Sequence, residues 1–111
     1  MTEKMYLVGI RWVGSPMRPE RVDNALSTFG DWFRYSGTTW FVWSDARANT
    51  ISDALRARLE SSDSLVVVRV DPTEAAGWAP SQVWEWLKSK APASYAGAFA
   101  EGDAVPPFRA E

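Results

Sequence analysis

The 111-residue sequence contains no histidine and no cysteine, and each absence excludes a set of chemistries. Without histidine there is no imidazole general base, no Ser-His-Asp triad and no histidine metal ligand. Without cysteine there is no disulfide framework, thiolate nucleophile, zinc knuckle or iron-sulfur cluster. A metal ion would have to be held by oxygen atoms, which limits the choice to magnesium, manganese or calcium.

Nucleotide-binding glycine motifs and long apolar runs are also missing. Neither GxGxxG nor GxxxxGKS/T occurs, which disfavours a dinucleotide site and a P-loop. No run reaches the roughly 18 apolar residues that a membrane-spanning helix needs. The N-terminal MTEKMYLVGI lacks the features of a signal peptide. We therefore expect a soluble, cytoplasmic protein with no membrane partner and no resident cofactor.

The sequence has no basic excess, since 12 Lys and Arg residues stand against 14 Asp and Glu residues, for a net charge of -2. Residues 91–111 account for that charge through Glu101, Asp103, Glu111 and Arg109, so residues 1–90 carry no net charge. Nucleic-acid-binding domains usually concentrate Lys and Arg on one face. The charge balance lowers the expectation of a nucleic-acid partner without excluding a local basic patch.

Tryptophan is abundant, with seven residues in the chain. The residue pattern predicts seven secondary-structure elements around these aromatics. The first is a strand at Met5 to Trp12, followed by a helix with Pro16 or Pro19 in its first turn and Gly30 at its end. Two strands at 31–35 and 38–44 come next, joined by a Ser36-Gly37 turn. A helix from about Thr50 to Glu60 with Asn49 as N-cap, a strand at Ser64 to Val70 and a helix at about Ser81 to Lys90 complete the order. The alternative for 31–44 is one long strand with a glycine bulge at Gly37.

This order predicts an α+β fold, a ferredoxin-like βαββαβ antiparallel sheet with two helices on one face and a short additional C-terminal helix. The strand at 64–70 is expected to be largely covered on both faces. Residues 1–90 form the predicted domain. Residues 91–111 read as an Ala/Pro/Gly-rich tail, in which Tyr95, Phe99, Val105 and Phe108 can anchor an extended segment. The second sheet face is left open, and function or dimerisation is expected there.

Five residues are candidates for binding on the open face, namely Arg11, Arg34, Arg69, Trp40 and Trp43. Aromatic side chains beside arginines on an open sheet are typical of surfaces that stack nucleic-acid bases. The competing interpretation is that the tryptophans fill the core and a dimer interface. By strand periodicity Arg11 and Arg69 can lie close together on the open face, as an anion site or as interface arginines paired with carboxylates.

Carboxylates at predicted strand ends are the candidates for a metal site. Asp31, Asp45 and Asp63, with Asp71, occupy such positions, and converging carboxylates can hold magnesium or manganese. Aspartates at these places also cap turns and helices. The sequence therefore favours a protein without a resident metal, and it keeps a metal-dependent nuclease as the alternative.

Three segments, FGDWFRYSGTTWFVWSD, ISDALRARLESSDSLVVVRV and GWAPSQVWEWLK, carry a family resemblance. Together they resemble short bacterial proteins labelled SinR-like, over about residues 5–90. The positions that carry the likeness are Trp32, Thr39, Trp40, Asp63, Gly77, Trp78, Trp84, Trp86 and Leu87. That group implies no defined activity.

More distantly, the chain is similar to the small ferredoxin-fold subunit of the CRISPR integration complex and to VapD-like toxins. This resemblance implies a homodimer joined through its sheets and, in several members, a metal-dependent nuclease with an aspartate at the end of the first strand. Here that stretch reads Gly9-Ile10-Arg11-Trp12, with no aspartate. An arginine there repels a divalent cation. We therefore expect a non-catalytic homodimeric binding or assembly module, with a nuclease or toxin, or a non-cleaving nucleic-acid binder, as alternatives.

Overall fold

The computed structural model describes residues 2–13 and 16–90 and is of the α+β class. In chain order its elements are β1 (Lys4–Arg11), α1 (Pro19–Leu26), β2 (Gly30–Ser36), β3 (Thr39–Ser44), α2 (Ala48–Arg56), β4 (Ser64–Val70) and α3 (Ser81–Lys90). The predicted bounds of β4 and α3 are confirmed, and β1 lies one residue earlier than predicted.

The four strands form one antiparallel sheet in the order β2-β3-β1-β4. The β2–β3 pairing around Gly37 confirms the predicted hairpin, so the alternative of one long strand with a bulge at Gly37 is wrong. An irregularity does occur in β2, where the register shifts between Arg34 and Ser36. This irregularity lies before the Ser36-Gly37 turn and does not interrupt the hairpin.

One hydrophobic core joins the sheet to α1 and α2. Alternate residues of the two central strands point into it, which is the period-2 pattern of a strand with one face on a core. The buried members are Tyr6, Val8 and Ile10 of β1, Trp40 and Val42 of β3, Val22, Ala25 and Leu26 of α1, and Ile51 and Leu55 of α2. Each helix therefore presents one apolar stripe to the same core.

The two core helices begin and end at other residues than the sequence predicts. Pro19 lies in the first turn of α1, as expected, but that helix ends at Leu26, before Phe29. In α2 the amides of Thr50 and Ile51 both bond to the carbonyl oxygen of Arg47. Asn49 therefore lies inside the first turn, and its assignment as N-cap is wrong.

The chain divides into two compact units after Val70. In the second unit the described part is residues 71–90, where α3 buries Val83, Trp84 and Leu87, the stripe that the sequence predicts. The expected anchoring of Tyr95, Phe99, Val105 and Phe108 lies outside the described residues. The boundary between residues 90 and 91 stays a prediction. Within the described residues, no helix has the length and apolar character to cross a membrane.

Candidate functional site

The candidate surface is the sheet face opposite the α1–α2 core, here called the open face. Strand alternation and the cross-strand register define its members. They are Met5, Leu7, Gly9 and Arg11 of β1, Asp31, Phe33 and Tyr35 of β2, Thr39, Phe41 and Trp43 of β3, and Ser64, Val66, Val68 and Val70 of β4.

The open face is predominantly apolar, and its side chains form rows across the sheet. One row aligns Trp43, Met5 and Val70, the next aligns Phe41, Leu7 and Val68, and the third aligns Thr39, Gly9 and Val66. Phe33 lies directly opposite Phe41. The ring of Tyr35 meets Phe41 edge-on, with centroids 6.2 Å apart, a favourable aromatic geometry.

Exposure across the open face is uneven. Met5 is buried, whereas Val66 is 60% exposed and Val68 and Tyr35 are 49% exposed. The expectation that β4 is largely covered on both faces is therefore wrong. β4 is an edge strand, so it has a strand neighbour on one side only, and alternate valines meet solvent.

A groove of about 330 Å³ lies at the Arg11 end of the open face. Gly9 has no side chain, so a gap opens between Thr39 and Val66, its neighbours in the row. Arg11 and Ser64, which pair across β1 and β4, border the same groove. Glycine inside the strand pattern was the available signal for this gap.

Trp40 and Arg34 do not lie on the open face, and this corrects the sequence-based placement. Trp40 is fully buried in the core, and its Nε1 donates a 2.8 Å hydrogen bond to Oδ1 of Asp23. Arg34 lies opposite Trp40 and pairs with the same carboxylate. The hydrogen bond to Asp23 raises the pKa of Arg34 above its ordinary value. These residues hold α1 on the sheet, and of the two β3 tryptophans only Trp43 belongs to the open face.

Arg11 and Arg69 are not neighbours either. Arg69 lies opposite Tyr6 and so belongs to the core side of β4, whereas Arg11 lies opposite Ser64 on the open face. Ser64 and Arg69 are five positions apart, and an odd spacing in a strand places two residues on opposite faces. The predicted joint anion site is therefore wrong, and the Arg11 groove is a separate feature.

The three candidate metal ligands do not come together. Asp31 lies opposite Trp43 and Asp45 directly follows β3, at one end of the sheet, whereas Asp63 precedes β4 at the other end. The two oxygens of Asp63 accept the amides of Val13 (2.6 Å) and Glu60 (2.9 Å), which ties β1 to the connection before β4. Within residues 2–13 and 16–90, no group of three carboxylates is placed to hold a metal ion.

The outer edge of β4 is the feature that the sequence did not indicate. Ile10 donates its amide to Thr38, so the backbone groups of Tyr6, Val8 and Ile10 face β3. Those of the alternate residues Leu7, Gly9 and Arg11 then face β4, and they engage Val68, Val66 and Ser64. The amides and carbonyls of Leu65, Val67 and Arg69 therefore point away from the sheet, to an edge that no other described strand occupies.

No protein-family model, curated protein or solved structure matches this chain. The resemblance to the SinR-like group and to the CRISPR and VapD-like proteins therefore stays a prediction.

Proposed function

We propose that this chain is a ferredoxin-like, non-catalytic binding or assembly module that works as a homodimer. The chain order β1-α1-β2-β3-α2-β4 and the sheet order β2-β3-β1-β4 support the ferredoxin-like assignment. The core shared by α1 and α2 supports it further, since both helices meet the same set of strand residues. In such a fold the open face and the sheet edges remain for contacts with a partner.

The main support for a homodimer is that Val66 and Val68 are exposed on an edge strand. An unpaired edge with apolar side chains is a template for another strand, and monomeric proteins usually protect such edges with charge, proline or bulges. β4 reads SLVVVRV, with one charged residue and no proline, and its register with β1 is unbroken. Fully burying a valine side chain is worth about 1.5–3 kcal/mol, so covering this strand favours association.

The roles of the polar side chains support a non-catalytic module. Asp63 accepts two backbone amides, Asp23 joins α1 to β2 and β3, and Asp71 accepts from the amide and hydroxyl of Thr73. Ser44, the buried last residue of β3, donates to the carbonyl of Phe29 and accepts the amide of Ala46. Each of these groups therefore has a structural role in hydrogen bonding, including the exposed Asp71.

Multi-angle light scattering on the full chain at micromolar concentration tests the proposal. We expect a molar mass twice the 12.4 kDa of one chain, with a fall toward the monomer on dilution. A mass of one chain at every concentration would remove the homodimer. A Val66→Lys/Val68→Lys variant is expected to be monomeric, and Ser61→Lys/Ser62→Lys, two exposed positions before β4, serves as a matched control for added charge.

The Arg11 groove favours a second candidate, the binding of single-stranded nucleic acid without cleavage. Arg11 can contact a phosphate, while Thr39 and Ser64 offer hydroxyls along the same groove. Fluorescence anisotropy with labelled single-stranded RNA at low salt tests it. Binding that falls with salt, that Arg11→Ala weakens several-fold and that Arg56→Ala, an exposed arginine of α2, leaves unchanged would support this candidate. No anisotropy change at low salt would end it.

A further inference from the structure

We infer that two copies of the chain join their sheets through antiparallel pairing of β4 with β4, with the two-fold axis at Val67. This inference rests on the proposed homodimer and names its surface and register. The result is one continuous eight-stranded sheet, in which the edge strand of each copy becomes an interior strand.

The backbone supplies the first argument. Leu65, Val67 and Arg69 direct their amides and carbonyls to the outer edge, and they are the alternate residues that an antiparallel ladder needs. With Val67 opposite itself, Leu65 of one copy lies opposite Arg69 of the second copy, and the reverse. The three residue pairs then exchange about six hydrogen bonds. The amides and carbonyls that point outward in the monomer are thereby satisfied symmetrically.

The side chains supply the second argument. The same register places Val66 of one copy opposite Val68 of the second copy, twice, on the open face. These are the two exposed valines of β4, and β-branched pairs directly opposite one another stabilise antiparallel strands. On the other face Val67 meets itself. The exposed surface of the strand is thus self-complementary, as a two-fold interface requires.

The overlap of the strands selects this register among those that the backbone allows. Centring on Val67 pairs all the residues of Ser64–Val70, whereas a shift of the axis to Val66 or Val68 leaves the strand ends unpaired. A shift to Arg69 would place two guanidinium groups opposite each other, which is unfavourable. A slip that puts Val66 opposite Val67 would oppose residues of different faces.

Charge complementarity also favours a second copy of this chain as the partner that pairs with the outer edge of β4. Arg69 is exposed and belongs to the core side of β4. In the Val67 register it lies opposite Leu65 of the second copy, so it is a diagonal neighbour of that copy's Asp63. Diagonal positions are about 7–8 Å apart and within reach of a long side chain. The guanidinium of Arg69 can therefore reach Asp63 of the second copy, twice across the interface, while Asp63 and Asp71, which this register sets opposite each other, lie beyond the two paired strands.

Cysteine cross-linking tests the register, because the chain has no cysteine of its own and every disulfide reports the introduced sulfur. Val67→Cys is expected to form a disulfide-linked dimer in high yield under mild oxidation. Paired strand residues of this kind have Cα atoms about 5.5 Å apart, inside the disulfide range. An equimolar mixture of Val66→Cys and Val68→Cys is expected to give the mixed dimer in preference to either homodimer.

Ser64→Cys is the matched control, since in this register its two copies lie about 20 Å apart along the paired strands and form no disulfide. A dimer by light scattering in which Val67→Cys stays unlinked, or in which Ser64→Cys links as well as Val67→Cys, would overturn the register and leave the homodimer standing. A monomer at every concentration with no cross-link would overturn both. If the Val67→Cys variant does not fold, the mixture of Val66→Cys and Val68→Cys tests the register instead.

Discussion

The indole Nε1 of Trp40 donates a 2.8 Å hydrogen bond to Oδ1 of Asp23, which joins the most deeply buried tryptophan of the sheet to α1. Arg34 donates to both oxygens of the same carboxylate from the neighbouring strand. The backbone carbonyl of Asp23 accepts from Ser27, whose Oγ accepts from the indole of Trp32. One aspartate thus connects α1, β2 and β3.

Asp23→Ala is expected to lower the free energy of unfolding by about 2–3 kcal/mol. The substitution removes the acceptor of the Trp40 indole, which then remains buried without its partner, and leaving a buried donor unsatisfied costs about 1–3 kcal/mol. Urea denaturation followed by tryptophan fluorescence measures the change. Asp53→Ala, an exposed aspartate of α2, is the matched control and should stay within about 0.5 kcal/mol of the unchanged chain. Equal effects at the two positions would contradict the role of Asp23.

Gly30→Ala is expected to destabilise the chain by about 2 kcal/mol or more, because Gly30 has a φ of +156° that L side chains rarely adopt. An added Cβ would also fall on the carbonyl oxygen of Trp43 in the adjacent strand. Gly9→Ala is the control within the same sheet, since its Cβ would meet only Val66 Cγ2, at 3.6 Å. Thermal unfolding compares the two variants, and a Gly9 variant that melts below the Gly30 variant would refute this account.

Asp63→Ala is expected to lower the free energy of unfolding by about 2 kcal/mol, because its carboxylate accepts the nearby amide of Glu60 and the amide of Val13, which is 50 residues away in the sequence. Asp45→Ala removes an exposed aspartate and serves as the comparison. Chemical denaturation gives both values. If Asp63 were held only for a metal, its substitution would leave the metal-free chain as stable as the Asp45 variant.

Addition of Mg²⁺ or Mn²⁺ is expected to leave the melting temperature unchanged and to release no nucleotides from labelled RNA or DNA. The reason is that Asp31 and Asp45 lie at one end of the sheet and Asp63 at the other, whereas these cations need several oxygen ligands on one centre. Metal-dependent cleavage that is abolished by Asp31→Asn or Asp45→Asn would instead establish the nuclease alternative.

Local sequence signals were sufficient for much of the secondary structure. The valine-rich run of β4 is too β-branched to favour a helix, and Ser36-Gly37 marks the hairpin turn, so both features were predictable. The helix ends were less predictable. For example, α2 begins where the carbonyl oxygen of Arg47 accepts its first hydrogen bonds, and every residue type has such a carbonyl. The helix ends follow from backbone hydrogen bonds that form with the tertiary fold.

The faces of the strands could not be predicted from the sequence to the same extent. The sequence shows which residues share a strand face with Trp40 or with Arg69, but it does not show which of the two faces packs on the helices. That depends on the register with the neighbouring strands, because a shift of one residue exchanges the faces. The position of β4 at the sheet edge is likewise a property of strand order. A run such as SLVVVRV is compatible with an interior strand and with an edge that acquires a partner.

The proposed homodimer depends on β4 as a pairing edge, and the molar mass of the Val67→Pro variant tests this dependence most directly. The amide of Val67 points away from β1, so proline removes no hydrogen bond of the monomer sheet but blocks the ladder to a second copy. We expect light scattering to give a dimer for the unchanged chain and a folded monomer for Val67→Pro, whereas Val66→Pro should lose the fold. A monomeric unchanged chain, or a Val67→Pro variant that remains a dimer, would contradict the claim.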